Sequence, residues 1–512
     1  MKTKLTCIIA LTLGAALGVA AQTPLSIRNA ALTVRVEPQD GSYEIFAHGL
    51  QQPVLISRIG AEINGQWVSS TDYPRHHTAE SSFQDALGPA HVLTTTFTGL
   101  AGKPDLICVL RLYDREPYGD VSVEVHNTTQ GKMSVQAIRD VDATGRPRVA
   151  LGGSERDDRV MAETGSEDPP VRIGGLDQAP HGVYFGVRSD LIYNLRSKES
   201  LLLAALTSSR FMTLSHLRVA RDSAGGPRIA SFTVDSTGTT AWVAHRDDLA
   251  PSQRIQLSLP VAPGGSLSSE RLMFAAGSNY YAQLEAYGAA VRRLHHARVL
   301  AEAPMGWWSW TAFYGGINEG DVLTNADWLA DHLKQLGYNY FHIDEGYDYA
   351  RGEYTTANAT QFPHGMRSVG YQICHDGLTF GIWTAPFEVS ERSWVYQNHK
   401  DWLVHDAHGK PILIGYVDRH ADRLFALDTT NPGAQAYLRQ TYQVLTQKWG
   451  IRYIKLDFMD SSAIEGYHYR PDVTALQAQR IGLRIIRQAV GDGVLLDKDG
   501  SPMLNPVGLV DE

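Results

Sequence analysis

Tyr453-Ile-Lys-Leu-Asp-Phe-Met-Asp460 is an octet with the pattern of a buried β-strand that ends in charge. Because a strand sends alternate side chains to opposite faces, Lys455 and Asp457 face one way and the apolar residues between them face the other. Two opposite charges on an inward face are costly to bury unless they pair or act on a ligand. The ammonium also keeps its neighbouring carboxylate ionised. The octet alone favours two interpretations equally: a structural ion pair, or a positioned carboxylate of the kind that a covalent glycosidase uses as its nucleophile.

The segments around this octet alternate between strand and helix. Predicted strands cover 306–310, 338–344, 378–384, 453–458, 494–496 and 507–510, and predicted helices cover 318–336, 369–375, 432–449 and 473–489. Strict alternation indicates a parallel sheet with helical crossovers, for which a (β/α)8 barrel is the expected closure. Such a barrel needs about 250 residues and eight strands. Residues 305–512 supply fewer of both, so we expect an incomplete barrel in a chain truncated at its carboxyl end.

The first half of the chain has a different pattern. Apolar and polar residues alternate in 31–36, 121–125 and 255–259, and glycine-rich turn clusters separate such runs. We therefore expect an antiparallel β-sandwich over residues 22–278. From residue 279 the apolar residues recur at the three- and four-residue spacing of a helix, so 279–304 is a predicted linker helix that ends at Pro304. The predicted fold class is a multidomain β and α/β protein, with the sandwich followed by a partial barrel over 305–512.

The amino-acid composition excludes some classes of binding partner. The net charge is −9 and there is no long basic run, which argues against nucleic acid as the main partner. Ten Trp and 23 Tyr suit stacking on sugar rings, although aromatic residues are also ordinary core material. The three cysteines have neither a disulfide-framework spacing nor a metal-binding spacing. Composition therefore argues against nucleic acid and leaves the oligomeric state open.

Residues 1–21 have the features of a secretory signal peptide. Lys2 and Lys4 precede a short apolar run over 5–17, and small residues at 19–21 form a cleavage site before Gln22. The run is too short to span a bilayer comfortably, and no other segment is long and apolar enough to do so. We expect a secreted or periplasmic protein without a membrane span after signal removal.

The ends of the predicted barrel strands carry the candidate site. Active sites of such barrels lie at the carboxyl ends of the strands, and here those ends carry acids or indole rings. The candidates are Trp307, Asp344, Glu345, Trp383, Lys455, Asp457 and Asp499. Any one of them is better explained by core packing or a solvated turn, but their coincidence on one rim favours a sugar site. His342 and Asp344 lack a third metal ligand, so we predict neither a metal site nor a cofactor.

Six short motifs follow one another in the last two fifths of the chain. They are Gly306-Trp-Trp-Ser-Trp310, Ile343-Asp-Glu-Gly-Tyr347, Phe362-Pro-His-Gly-Met366, Gly381-Ile-Trp-Thr-Ala-Pro-Phe387, Leu427-Asp-Thr-Thr-Asn-Pro432 and Tyr453-Ile-Lys-Leu-Asp-Phe458. Each motif alone is weak, but in this order they resemble the melibiase-type α-galactosidases of glycoside hydrolase clan D. The resemblance also implies a β-supersandwich before the barrel.

The resemblance implies a retaining glycosidase that acts on an oligosaccharide or polysaccharide, with Asp457 as the nucleophile. Asp344, Glu345 and Lys455 would then bind ring hydroxyls, while Trp307 and Trp383 would form apolar walls. Retention needs a second carboxyl group at about 5–5.5 Å from the nucleophile, protonated when the first is ionised. In this family that general acid follows the segment similar to 508–511, so we expect it beyond residue 512 and assign it to no residue of this chain.

Two further departures from the family pattern bear on specificity. Glu345 stands where the family has Asp, and the extra methylene changes the reach of its carboxylate. Asp499-Gly500 stands where the family often has Cys-Gly, which bears on recognition of the sugar 2-position. The main hypothesis is an α-galactosidase that releases terminal α-linked galactose. A related α-glycosidase or galactosyl-transferring enzyme with another sugar specificity, and a non-catalytic carbohydrate-binding protein, are the alternatives.

Overall fold

The computed structural model describes residues 24–145, 149–165, 169–244, 254–417, 422–500 and 504–511. The predicted signal peptide, residues 1–21, therefore lies outside the described residues. Within these ranges, no helix has both the length and the apolar character needed to cross a membrane.

Short antiparallel strands make up the first half of the described chain, as the alternating pattern predicts. The strands are β1 (Leu25–Arg28), β2 (Leu32–Val36), β3 (Tyr43–Ala47), β4 (Leu55–Ile63), β5 (Gln66–Ser69), β6 (Arg75–Asp85), β7 (Gly88–Thr98), β8 (Asp105–Tyr113), β9 (Tyr118–His126), β10 (Met133–Thr144), β11 (Asp158–Glu163), β12 (Val171–Gly175), β13 (Val183–Val187), β14 (Ser189–Asn194), β15 (Ser200–Ala205), β16 (Met212–Arg221), β17 (Pro227–Thr237), β18 (Leu259–Val261), β19 (Ser266–Ser268) and β20 (Leu272–Gly277). A short helix, α1 (Thr240–Ala244), lies between β17 and β18.

Two large antiparallel sheets form from these strands and pack face to face. The first has the order β1-β2-β3-β4-β10-β17-β16-β13, with β5 paired to β4 and β18 paired to β10. The second has the order β12-β11-β14-β15-β20-β9-β8-β7-β6, with β19 paired to β9. Val34 and Ile138 of the first sheet and Leu106 of the second are fully buried in one shared core. Side chains from both inner faces thus close the core, as in a sandwich. The predicted β-sandwich is confirmed.

A single helix, α2 (Tyr280–His295), follows the sandwich, and the Asn279 side chain caps it by accepting from the Ala282 amide. The helix ends at His296, which adopts a left-handed backbone, and not at Pro304 as predicted. The reason is that the left-handed residue terminates the helical hydrogen-bond ladder well before the proline is reached. Gln283 donates to the Ser200 hydroxyl at 2.9 Å and so docks the helix on the second sheet.

The remaining residues alternate strand and helix. The elements are β21 (Gly306–Trp308), α3 (Trp310–Phe313), α4 (Glu319–His332), β22 (Tyr340–Ile343), α5 (Met366–His375), β23 (Thr379–Thr384), β24 (Glu388–Ser390), α6 (Trp394–Asn398), β25 (Leu413–Val417), β26 (Asp422–Ala426), α7 (Pro432–Lys448), β27 (Tyr453–Leu456), α8 (Ala475–Val490) and β28 (Leu495–Lys498).

Five of these strands form a parallel sheet in the order β21-β22-β23-β27-β28. This is the sequential, helix-connected order of the first part of a (β/α)8 barrel. Ile382, Ile454 and Leu496 lie in register on one face and are fully buried against the helices. The alternate residues Trp383, Lys455 and Asp497 also lie in register, and they face the concave side. The sheet therefore carries the candidate site on the side opposite its helices.

Two features of this part of the chain differ from the prediction. Residues 507–510 were a predicted sixth strand, but they form turns in which the amides of Leu509 and Val510 donate to the Pro506 carbonyl. The apolar run packs against the barrel core through Val510 and does so without a strand partner among the described residues. The second feature is an inserted antiparallel sheet, in the order β24-β26-β25, between the third and fourth barrel strands. The sequence did not predict this sheet, because its strands are too short for an alternation of apolar and polar residues to distinguish them from loops.

Candidate active site

Lys455 is the centre of the site, at the inward face of β27. Its Nζ lies 3.0 Å from Asp499 Oδ2, 3.3 Å from Asp457 Oδ2 and 3.6 Å from Asp344 Oδ2. The side chain is only 12% exposed. Burial alone would lower the pKa of Lys455, but the charges of Asp457, Asp344 and Asp499 raise it above its usual value. One ammonium group therefore stays charged and holds three carboxylates, which follow β22, β27 and β28.

Asp457 is held by donors on both of its oxygens. Trp383 Nε1 donates to Oδ2 at 2.9 Å, and the Phe458 amide donates to Oδ1 at 2.7 Å. Its own amide continues the sheet by donating to the Thr384 carbonyl at 2.8 Å. Phe458 then takes a left-handed backbone with φ of +52°, which residues other than glycine rarely adopt. The strand thus ends abruptly, and Asp457 is fixed at the point where the chain turns away.

Asp344 faces Asp457 across the same ammonium. The Trp308 indole donates to its Oδ2 at 2.6 Å, and His342 Nε2 lies 3.3 Å from the same oxygen. Burial alone would raise the pKa of the Asp344 carboxyl, but the His342 hydrogen bond and the Lys455 charge lower it below its usual value. The Glu345 amide donates to the other oxygen of this carboxyl, Oδ1, so Asp344 is an ionised carboxylate with partners on both oxygens.

A cavity of about 400 Å³ opens on the concave face beside Lys455 and Asp499, and neither Asp344 nor Asp457 is among its lining residues. Its walls include Trp308, His342, Tyr453, Lys455 and Asp499. Small-molecule sites usually occupy about 300–1,000 Å³, so a monosaccharide with part of an aglycone fits this volume. Aromatic surface next to fixed carboxylates and an ammonium is suited to an uncharged polyhydroxylated ring, whose apolar face stacks while its hydroxyls donate.

A family model matches the part of the chain that carries most of these groups. Residues 285–482, the Melibiase segment, match the family model described as Melibiase and are similar to that family. The match covers both acid-bearing strand ends at Asp344 and Asp457, as well as Lys455, while Asp499 lies beyond it.

The similar curated proteins are α-galactosidases. Alpha-galactosidase 2 of Pediococcus pentosaceus is 26% identical over 159 residues, which are 29% of this chain and 20% of that protein. Alpha-galactosidase C of Emericella nidulans is 28% identical over 167 residues, which are 29% of this chain and 21% of that protein. The matched regions thus span about a fifth of the length of these curated relatives.

Solved structures extend the likeness beyond the Melibiase segment. The GH36 α-galactosidase AgaA of Geobacillus stearothermophilus superposes with a TM-score of 0.60 at 15% identity. The alignment covers 93% of this chain and 72% of that one. The α-galactosidase of Lactobacillus brevis gives a TM-score of 0.60 at 14% identity, with 95% and 72% coverage. At these identities the likeness concerns the fold, and it includes the sandwich.

Four of the predicted site residues of the Melibiase segment and its flank are brought together: Asp344, Lys455, Asp457 and Asp499. Trp383 is also at the site, but it is fully buried, and its indole contacts Asp457. It is therefore a support for the carboxylate in this structure and presents no wall to a ligand. The reason is that Arg351, Tyr354 and Phe458 cover the indole.

Trp307 and Trp308 both line the cavity, so the predicted wall residue Trp307 lies at the site, whereas Glu345 is placed differently from the prediction. Trp307 pairs with Phe341 in the sheet and stacks on its ring at 4.4 Å, and Trp308 takes the inward position. The alternation of side chains along β21 explains the inward position of Trp308, because Trp308 pairs with His342 and shares its face of the sheet. The carboxylate of Glu345 is taken by Arg351, which donates to both of its oxygens at 2.7 and 2.8 Å.

The sequence reasoning missed Trp308 and Arg351. Trp308 was available from alternation, because it pairs with His342, and His342 lies on the same face as the strand-end acid Asp344. Arg351 had no such signal, because it lies in the loop after β22 and its partner Glu388 comes from a different strand. The described residues contain no group of three or more His, Cys, Asp and Glu side chains arranged to hold a metal ion.

Proposed function

We propose that this protein is a retaining glycoside hydrolase that releases terminal α-linked galactose, with Asp457 as the nucleophile. One observation carries the proposal: the Asp457 carboxylate is fixed by Trp383 and Phe458 and pairs with the Lys455 ammonium, which itself lines a sugar-sized cavity. A carboxylate held in this way has little reorganisation left before attack on an anomeric carbon.

The reaction takes two steps. Asp457 attacks the anomeric carbon and forms a glycosyl ester, while the bond to the leaving oxygen breaks and its electron pair stays with that oxygen. Water then attacks the same carbon, the ester C–O bond breaks and returns the Asp457 carboxylate, and the proton of the water passes to solvent. We assign the ring hydroxyls during both steps to Lys455, which lines the cavity, and to its neighbour Asp344. We assign no general acid among the described residues, so the decisive substrates are those whose leaving group needs no proton.

Galactose is the proposed sugar because of the structural neighbours. A variant of AgaA was solved in complex with 1-deoxygalactonojirimycin, and the α-galactosidase TtGalA of Thermus thermophilus was solved with stachyose. We propose α-galactosides of this oligosaccharide class as substrates. Glu345 and Asp499 stand at positions where the sequence departs from the family, so a panel of α-configured sugars belongs in the test.

The test compares wild type with Asp457→Ala on α-galactosyl fluoride, from which fluoride leaves without protonation. We expect hydrolysis by wild type, a loss of at least about 10³-fold in the variant, and partial rescue by azide with formation of a galactosyl azide. Asp492→Ala, at a highly exposed carboxylate, is the matched control and should leave the rate unchanged.

The other possible outcomes each contradict one part of the proposal. Unchanged hydrolysis by Asp457→Ala removes Asp457 from the mechanism. If another α-glycosyl fluoride is hydrolysed in preference to the galactosyl fluoride, the proposed sugar, galactose, is wrong. Binding of galactose without turnover of any fluoride identifies a carbohydrate-binding protein, and a galactosylated acceptor as the main product identifies a transferase.

A further inference from the structure

Arg351 forms a second ionic network next to the site. Besides its two bonds to Glu345, its Nη1 donates to Glu388 Oε2 at 2.6 Å. The guanidinium is only 9% exposed and the Glu388 carboxylate 3%. Burying such charges is costly unless the hydrogen bonds are complete, and three short charge-assisted bonds meet that condition here.

The same guanidinium faces the two aromatic residues that adjoin the candidate nucleophile. Its Cζ lies 4.2 Å from the ring centroid of Phe458 and 5.4 Å from that of Trp383. Both distances are within the range of cation–π attraction, which is stronger in a desolvated site. Phe458 follows Asp457 in the chain, and the Trp383 indole donates to Oδ2 of Asp457. Arg351 thus contacts both supports of the Asp457 carboxylate without contacting the carboxylate itself.

The turn after Asp457 is held by the same network. Phe458 has a left-handed backbone, and such a conformation persists only where surrounding contacts over-determine it. The Ser461 hydroxyl lies 3.1 Å from the Phe458 carbonyl and also contacts Glu388. Arg351 therefore contacts the ring of Phe458, and Glu388 is linked to the Phe458 carbonyl through the Ser461 hydroxyl.

We infer that Arg351 is a positioning residue for Asp457, acting through the Phe458 ring and the Trp383 indole. The inference rests on the proposed function and deepens it. It gives Glu345 a different task from the predicted one. With both oxygens bonded to Arg351, Glu345 fixes the guanidinium over Phe458 and does not bind a sugar hydroxyl. The position that the family fills with a shorter acid thus serves the nucleophile in this chain.

The kinetic test uses Arg351→Lys, which keeps the charge but loses the planar fork that reaches two carboxylates at once. On α-galactosyl fluoride we expect kcat to fall by about 10- to 100-fold, as for other losses of supporting contacts. KM should change by less than about threefold, since a positioning residue leaves substrate contacts in place. Arg423→Met is the matched control, because Arg423 pairs with Glu391 on the surface and lies 5.8 Å from the Phe425 ring.

Phe458→Leu separates positioning from folding. It removes the ring under Arg351 and keeps the ion pairs with Glu345 and Glu388. We expect the same fall in kcat, with KM again nearly constant. If KM rises in Arg351→Lys while kcat is kept, Glu345 and Arg351 bind the sugar and the inference is wrong. If both variants keep kcat, it is wrong as well.

A spectroscopic readout makes the result independent of turnover. With 15N-labelled tryptophan, the Trp383 indole signal, assigned from its loss in Trp383→Phe, reports the hydrogen bond to Asp457. We expect Arg351→Lys and Phe458→Leu to shift this signal and Arg423→Met to leave it in place. A wild type that hydrolyses no glycosyl fluoride overturns the proposed function only. An unshifted signal in a folded Arg351→Lys or Phe458→Leu protein overturns the positioning role.

Discussion

Lys455 determines the charge balance of the site because its ammonium pairs with three carboxylates at once. Asp499, Asp457 and Asp344 all lie within 3.6 Å of its Nζ, and only a charged ammonium offsets so much negative charge in a largely buried position. The pairing of Lys455 with Asp457 was available from strand alternation alone. The burial of Trp383 was not, because the residues that cover it come from loops whose conformation the sequence pattern does not predict.

Replacing Trp383 with Phe tests the support of the carboxylate at the scale of one hydrogen bond. The change keeps an aromatic ring in a buried position and removes the donor to Asp457 Oδ2. We expect kcat on α-galactosyl fluoride to fall by roughly 10-fold, which corresponds to one hydrogen bond to a charged group, with little change in KM. Trp328→Phe, at a half-exposed indole, is the control. Equal kcat in wild type and Trp383→Phe would show that Asp457 needs no indole donor.

Strand ends and the loops that follow them form the site at the scale of elements. The five parallel strands were predicted because alternating charge, apolar runs and helix caps agree along 305–500. The turn over 507–510 was mistaken for a strand because a short apolar run has no periodicity that excludes a turn. The inserted sheet β24-β26-β25 was missed for a related reason, since strands as short as Glu388–Ser390 give no alternation to detect.

Gly346 tests the loop that carries Asp344 and Glu345. It has φ of +124°, and a Cβ there would come within 2.9 to 3.1 Å of the Gly315 backbone. Gly346→Ala should therefore lower the free energy of unfolding by about 1–3 kcal/mol and also lower kcat. Gly365→Ala is the matched control, because Gly365 has φ of +74° but open space around its Cβ position. Chemical denaturation compares the two, and an equal loss in both variants would mean that the contact with Gly315 does not matter.

The sandwich and the partial barrel are joined through a buried acid at the scale of the whole molecule. Glu465, in the segment after β27, accepts from the Thr239 amide at 3.2 Å and from the Ala475 amide at 3.1 Å. Thr239 belongs to the sandwich, and Ala475 is the first residue of α8. Thr474, which caps α8, also donates to the Arg210 carbonyl of the sandwich. The sequence predicted the two folds but not this contact, since no local pattern indicates which distant amide a buried carboxylate accepts.

Glu465→Ala removes the acceptor of two buried amides and should cost about 2–4 kcal/mol of unfolding free energy. We expect calorimetry to show a lower melting temperature, with the unfolding of the two parts less cooperative than in wild type. Glu285→Ala, at an exposed position on α2, is the control and should melt like wild type. A Glu465→Ala protein with an unchanged transition would show that the two parts are coupled elsewhere.

The most direct measurement of the whole account is covalent trapping of the nucleophile. A 5-fluoro-α-galactosyl fluoride carries a leaving group that needs no acid, and its ring fluorine slows hydrolysis of the ester that forms. After proteolysis, mass spectrometry should find the fluorogalactosyl label on the peptide that contains Asp457, and no label on Asp457→Ala. A label on a different carboxylate, or no covalent adduct in a protein that hydrolyses the unmodified fluoride, would contradict the account.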